Sequence, residues 1–139
     1  MRRSGIALAL LASFVALLAC ARKPAPEAPK GAAQPPPLSY EAGLGKSTFT
    51  HYCQTCHGET GAGDGFNAFN LDPRPRDLSD PEFQKKKSDA DLVDAIQRGG
   101  AGVGLTALMP PYGRTLSSRQ IREVVLYLRV LPALRKPAS

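Results

Sequence analysis

Apolar residues fall along this 139-residue chain in two different patterns. From Ile6 to Leu18 they form an almost unbroken run behind the basic start Met1-Arg2-Arg3. About 13 residues make about 20 Å of helix, short of the roughly 30 Å hydrocarbon core of a bilayer. Length and flanks therefore predict a secretory signal peptide over 1–19, not a membrane span. Beyond residue 39 the pattern becomes periodic, and three helices are predicted. The first runs from Ser39 or Tyr40 to Cys56, with Leu44, Phe49 and Tyr52 as its apolar face and Gly43 and Gly45 weakening it. The second starts at Ser88, a candidate N-cap with Asp91 three residues on, uses Leu92, Val93, Ala95 and Ile96, and stops at Gly99-Gly100. The third starts at Ser117 with Gln120 in the same relation. It repeats apolar residues at Ile121, Val124, Val125 and Leu128, and ends at Pro132. The stretches 58–81 and 99–113 are rich in Gly, Pro and Asp and read as loops. No strand pattern competes, so the fold class is all-α.

Three further segments complete the organisation. Leu17-Leu18-Ala19-Cys20 closes the apolar run and resembles the lipobox of bacterial lipoproteins, in which the signal is cut before a cysteine that is then acylated. That resemblance implies lipidation of Cys20 and export to a membrane surface. Ala21, where an Asp would retain the protein at the inner membrane, leans towards the outer membrane. Residues 20–39 hold repeated Pro and Ala, cannot bury a core, and read as a lipid-anchored linker reaching at most about 60 Å. The folded domain spans 40–135, and 136–139 read as a disordered tail. The net charge of +6 lies in the flanks, because residues 40–134 hold 11 basic and 11 acidic side chains. With no Trp and no basic stripe interleaved with aromatics, no nucleic-acid binding is expected. The run Lys85-Lys86-Lys87 reads as a solvated loop, or else as a docking patch for an acidic redox partner.

About 95 residues in three helices and two long loops make a lean core, which a large apolar cofactor would complete. Cys53-Gln54-Thr55-Cys56-His57 points to that cofactor. Cys-x-x-Cys-His is the attachment pattern of c-type haem: two thiols about one helical turn apart form thioethers to the vinyl groups, and the adjacent histidine is the proximal iron ligand. A zinc site from His51, Cys53, Cys56 and His57 would crowd four ligands into seven residues with no second pair downstream. A thioredoxin-like thiol pair lacks its βαβ setting. Once Met1 leaves with the signal peptide, Met109 is the remaining methionine. It stands in the stiff segment Leu108-Met109-Pro110-Pro111-Tyr112-Gly113 and is the candidate sixth ligand. His51 lies on the same segment as the attachment cysteines and is poorly placed for that role.

From Gly45 to Leu131 the chain resembles a class I monohaem cytochrome c, of the kind found as bacterial periplasmic carriers and as domains of haem–copper oxidases. The resemblance rests on Phe49-x-x-x-Cys53-x-x-Cys56-His57-Gly58, Gly61-x-Gly63-Asp64-Gly65 and Pro73-x-Pro75-Arg76-Asp77-Leu78. It continues through Ile96-Gln97-Arg98-Gly99-Gly100, Met109-Pro110-Pro111-Tyr112-Gly113 and Tyr127-Leu128-Arg129, in that order. It implies the cytochrome c fold, three main helices around one covalent haem c. It also implies that Gly45 and Phe49 pack on Leu126 or Tyr127, and that a carbonyl of the Pro73–Pro75 stretch, best that of Pro75, accepts the Nδ1–H of His57. Leu78 would pack on the haem face, and Arg76, Arg98 or Arg114 would pair with a propionate.

Axial ligation by His57 and Met109 leaves the iron no open position and favours one-electron transfer over catalysis, so no catalytic residue is expected. The expected role is a membrane-tethered, periplasm-facing carrier between a quinol-oxidising complex or dehydrogenase and a terminal oxidase or reductase. Two alternatives stand beside it. One is a haem enzyme or sensor, a peroxidase or gas binder, with a displaceable Met109. The other is a fixed subunit of an oxidase or dehydrogenase complex.

Overall fold

The computed structural model describes residues 37–135; the expected signal peptide, the lipidated Cys20, nearly all of the linker and the tail 136–139 lie outside the described residues. Helix α1 covers Tyr40–Tyr52, with Ser39 as N-cap accepting the Ala42 N–H at 3.1 Å. The expected continuation to Cys56 is interrupted. At Cys53 (φ −116°, ψ −33°) the helix breaks into a separate single turn, α2, Gln54–His57, closed by Gly58 at φ 81°. A 3-10 turn at Ala68–Asn70 lies in the stretch 58–81 expected to be loop, and a short helix α3, Pro81–Lys86, follows at its end, where no helix was expected. The start of α3 is locally encoded: Asp80 caps it by accepting the Glu82 N–H at 2.9 Å, and Pro81 occupies the first turn, where its missing N–H costs nothing.

Helices α4, Asp89–Gly102, and α5, Ser118–Leu134, start where expected, each on a reciprocal capping box formed by Ser88 with Asp91 and by Ser117 with Gln120. Their ends differ from expectation. At Gly99 (φ 68°, ψ 176°) the backbone of α4 kinks but resumes for another turn. Pro132 sits inside α5. A proline there removes the N–H owed to the carbonyl four residues back, that of Leu128. Gln84 Nε2 donates to that carbonyl at 3.1 Å instead, while also donating to Leu78 O at 2.7 Å, so the helix continues without an orphaned acceptor.

Helix α1 packs along α5 as the main interhelical interface, and α4 packs on α5 beside it. The backbones of α1 and α5 meet at Gly45, whose Cα lies against the Glu123 carbonyl and Val124 N. One turn on, Phe49 and Tyr127 stack with centroids 5.3 Å apart at 59°. Tyr127, not the exposed Leu126, is the partner. Phe49, Ile96, Ile121, Val124, Leu128 and Leu131 fill the centre of the core. Arg129 of α5 fastens the α3–α4 junction: it donates to the Gln84 carbonyl at 2.8 Å, the Lys87 carbonyl at 2.7 Å and Asp89 at 2.8 Å. Among the described residues there is no strand and no helix long and apolar enough to cross a membrane.

Two consequences can be measured by denaturant unfolding of the holoprotein. Gly45→Ala forces a Cβ into the backbone of α5 and lowers stability by about 1–3 kcal/mol. Gly43→Ala, two residues away and facing open space, raises it by up to about 1 kcal/mol. The second consequence concerns pH. The Ser88 hydroxyl and N–H, each 2.8 Å from Asp91 Oδ2, hold that carboxyl below its usual range. A depressed carboxylate stabilises the fold above its unfolded pKa of about 3.9, and the gain is lost as pH falls through the folded value. Asp91→Asn is therefore expected to lower stability at neutral pH and to flatten its fall below about pH 4.

Candidate haem site

A cleft of about 1040 Å³ opens between the α1–α2 junction, the stretch before α3, α4 and the segment after it. That is at the top of the roughly 300–1,000 Å³ range of small-molecule and cofactor sites. Its walls are mostly apolar, and Cys53, Cys56, His57, Pro75, Leu78 and Met109 all line it. Residues spread over the whole domain are thus brought around one space.

The turn α2 fixes the first three of these. Cys56 N and His57 N both donate to the Cys53 carbonyl, at 3.1 and 2.9 Å. The carbonyls of the turn are in turn capped by the glycine-rich loop. Gly63 N donates to His57 O at 2.9 Å, Gly65 N to Cys56 O at 3.2 Å and Asn67 N to Thr55 O at 2.9 Å. Gly61 O accepts from Leu78 N at 2.7 Å, which sets Leu78 in the wall. The Gly-x-Gly-Asp-Gly stretch therefore serves as the backbone cap of the attachment turn. That duty carries no periodic signal.

His57 Nδ1 lies 3.2 Å from the carbonyl of Arg76. A carbonyl only accepts, so Nδ1 carries the proton and Nε2 keeps its lone pair. Burial also pushes the imidazole pKa down, against the raising effect of that hydrogen bond, which favours the neutral, ligating form. The acceptor is one residue past the expected Pro75. The Pro75 carbonyl is turned away, onto the Cα of Gly63 at φ 77°, where a Cβ would collide. The Cys53 thiol is pushed up to about 11 by burial, with the neighbouring Cys56 adding to it, and neither cysteine is in a disulfide. A thiol so shifted is a poor thiolate nucleophile, contrary to the needs of a dithiol redox pair.

Met109 is half-buried in the opposing segment. Gly99 and Gly100, read as a helix stop, are the seat of that segment. The Cα of Gly99 touches Met109 O and the Pro110–Pro111 peptide, and Gly100 N donates to Met109 O at 2.9 Å. Tyr112 N and Gly113 N then donate to Ile96 O and Gln97 O of α4, at 2.9 and 3.1 Å.

The remaining candidates separate. His51 is exposed, stacked edge-on to Tyr52 at 4.5 Å, and does not line the cleft. Among the described residues no three His, Cys, Asp or Glu side chains gather as a metal cluster. Arg76 and Arg98 line the cleft and Arg114 does not. Arg98 reaches Asp94 at 3.4 Å, and Arg76 lies over the Phe83 ring at 5.6 Å. Arg74, which has no sequence signal of its own, lines the cleft too and stacks on Phe69 at 4.9 Å. Lys85 and Lys86 end α3, and Lys85 pairs with Glu82 at 2.9 Å, so the lysine run is partly neutralised on its own helix.

A covalent haem fits this arrangement: two thiols and an imidazole on one turn, a thioether on the facing segment and apolar walls between. Helices, attachment turn and facing methionine together describe a c-type cytochrome domain. Residues 41–128 match the family described as cytochrome c oxidase, cbb3-type, subunit III, and the chain belongs to that family. It is a monohaem class I cytochrome c domain with covalently bound haem c as its cofactor. A solved structure, "KustC0563 c-type cytochrome", is similar to it at 25% identity and a TM-score of 0.51, over 61% of this chain and 93% of that one. None of the curated proteins matches.

The seating of Met109 yields a prediction. Gly99→Ala places a side chain at φ 68° against the Met109 carbonyl. This positive-φ, extended-ψ backbone, essentially confined to glycine, alone costs about 1–3 kcal/mol. The holoprotein is expected to lose at least that in urea unfolding, while the haem stays covalently attached, as read by its mass.

Proposed function

We propose that this domain carries single electrons, with Cys53 and Cys56 in thioether bonds to haem c and His57 and Met109 as the axial ligands. The observation that carries this reading is that His57, with its Nδ1 proton engaged by Arg76 O, and Met109, seated on Gly99, line the same apolar cleft. Haem c bound there supplies a one-electron redox centre. The chain's part is to hold it: His57 is kept neutral and oriented, Leu78 and Leu128 exclude water, and Met109 offers a polarisable, uncharged sulfur that favours the reduced state. Arg76, Arg98 and Arg74 offer positive charge at the cleft for propionates. With Cys20 lipidated and the Pro/Ala linker behind it, the domain would work tethered at an exported face of the membrane. Its donors would be a quinol-oxidising complex or dehydrogenase, and its acceptors a terminal oxidase or reductase.

The family's description as an oxidase subunit favours a second reading, a fixed subunit of a larger complex. Mild detergent extraction separates the two: stoichiometric co-purification with other chains favours the subunit, and a lone haem-bearing chain favours the carrier. For the site itself, the oxidised holoprotein is expected to show the weak far-red band of a thioether–iron(III) bond. Met109→Ala should abolish it and lower the reduction potential by on the order of a hundred millivolts, a fraction of the roughly 0.8 V span set by axial ligands. An unchanged spectrum and potential would refute Met109 ligation. An intact mass of membrane-purified protein that lacks the acyl groups would refute the anchor.

A further inference from the structure

Two helices break beside the cleft, and the residue that joins both breaks is Tyr112. In a continuous helix Cys56 N–H would donate to the Tyr52 carbonyl, four residues back. At the Cys53 break it donates to Cys53 O instead, at 3.1 Å, and Tyr52 O is released. The Tyr112 hydroxyl donates to it at 3.0 Å. On the other side, Gly100 N–H would donate to Ile96 O, but at the Gly99 kink it turns to Met109 O at 2.9 Å. The Tyr112 N–H fills the vacated Ile96 carbonyl, also at 2.9 Å. Pro110 and Pro111 have no N–H to offer, so the segment after Met109 can be hooked first at Tyr112. The Tyr112 ring also meets Tyr52 edge-on, 5.8 Å between centroids at 66°. Among the described residues the hydroxyl bond is the one hydrogen bond that ties the methionine segment to the end of α1, one residue before Cys53.

We propose that Tyr112 is the positioning residue that latches the Met109 segment across both helix breaks, and so sets how readily Met109 yields its axial place to another ligand. The inference rests on the reading of Met109 as the sixth ligand. Exchange of Met109 for an incoming ligand requires the segment to swing away from the cleft. The bonds resisting that swing are those at Gly100, Tyr112 and Gly113, and of these the hydroxyl bond alone reaches across the cleft to the end of α1, just before the turn bearing His57. Tyr112→Phe removes it while keeping the ring and the backbone N–H.

The test titrates oxidised holoprotein with imidazole, following loss of the far-red band, for the wild type, Tyr112→Phe, Met109→Ala and the double variant. Tyr112→Phe is expected to keep its full haem content and its far-red band. It should exchange Met109 at about five- to tenfold lower imidazole concentration, the worth of one net hydrogen bond. Met109→Ala and the double variant, followed by the Soret shift, should bind imidazole equally, because neither has a methionine to release. Equal titration of the wild type and Tyr112→Phe, with the band present in both, overturns the latch alone. So does the same gain appearing in the Met109→Ala background, since the hydroxyl would then merely tighten the cleft. A wild-type protein without the band, or a band surviving Met109→Ala, overturns the Met109 reading and the latch with it.

Discussion

A backbone carbonyl released from a helix needs another donor, and α1, α4 and α5 each release at least one where they border the cleft. Helix α1 gives up Tyr52 O at the Cys53 break, α4 gives up Ile96 O and Gln97 O at Gly99, and α5 gives up Leu128 O through Pro132. Each is taken by a group from outside that helix: the Tyr112 hydroxyl and the Tyr112 and Gly113 N–H groups of the irregular methionine segment, and the side-chain amide of Gln84 in the short α3. The loops of this domain are therefore pinned to the helices by bonds the helices themselves have vacated. This is how a chain with so little regular structure can hold long loops in one shape around a cofactor.

Close approach is the second device. Gly45 lets α1 meet the backbone of α5, Gly99 lets the methionine segment rest on α4, and Gly63 lets the Pro75 carbonyl lie against the attachment loop. In each place a methyl group would displace backbone. The core of Phe49, Ile96, Ile121 and Leu131 then has one job, to hold α1, α4 and α5 at the separations these contacts demand.

What was legible in the amino-acid order was whatever depends on near neighbours. The capping boxes at Ser88 and Ser117 are formed within four residues, and both helix starts lie where their patterns put them. The Cys53–His57 motif was legible because the whole pattern is contained in five residues. Pro132 was misread as a stop because the donor that replaces its lost bond, Gln84, comes from far away in sequence, whereas Gly99 does break the regular helix as expected, and only the partner that takes up the broken bonds, the Met109–Gly113 segment, carried no local signal. The choice of Arg76 O over Pro75 O depends on how Gly63 turns, and Tyr112 reaches a carbonyl 60 residues distant. Helix α3 is the instructive exception. Its Asp80-Pro81 start is local and was passed over, because a six-residue helix shows too little periodicity to rise above the loop around it.

The two sides of the cleft are built to different stiffness, and that bears on what the domain can do. His57 sits on a turn whose successive carbonyls from Thr55 to His57 are each capped by backbone N–H groups. Met109 sits on a segment with two prolines and a few hooks, the Gly100 N–H of α4 and the carbonyls that α4 and α1 have vacated. Releasing the methionine would cost those hooks and leave α1, α4 and α5 packed. A carrier and a ligand-binding sensor can therefore share this architecture, and the difference between them lies in how firmly the methionine segment is held. Here the segment is tied to α4 by three backbone bonds and to α1 by a fourth from Tyr112, with prolines removing slack between them. On the proposed reading of Met109 as the axial ligand, preorganisation of that kind suits electron transfer better than exchange of ligands.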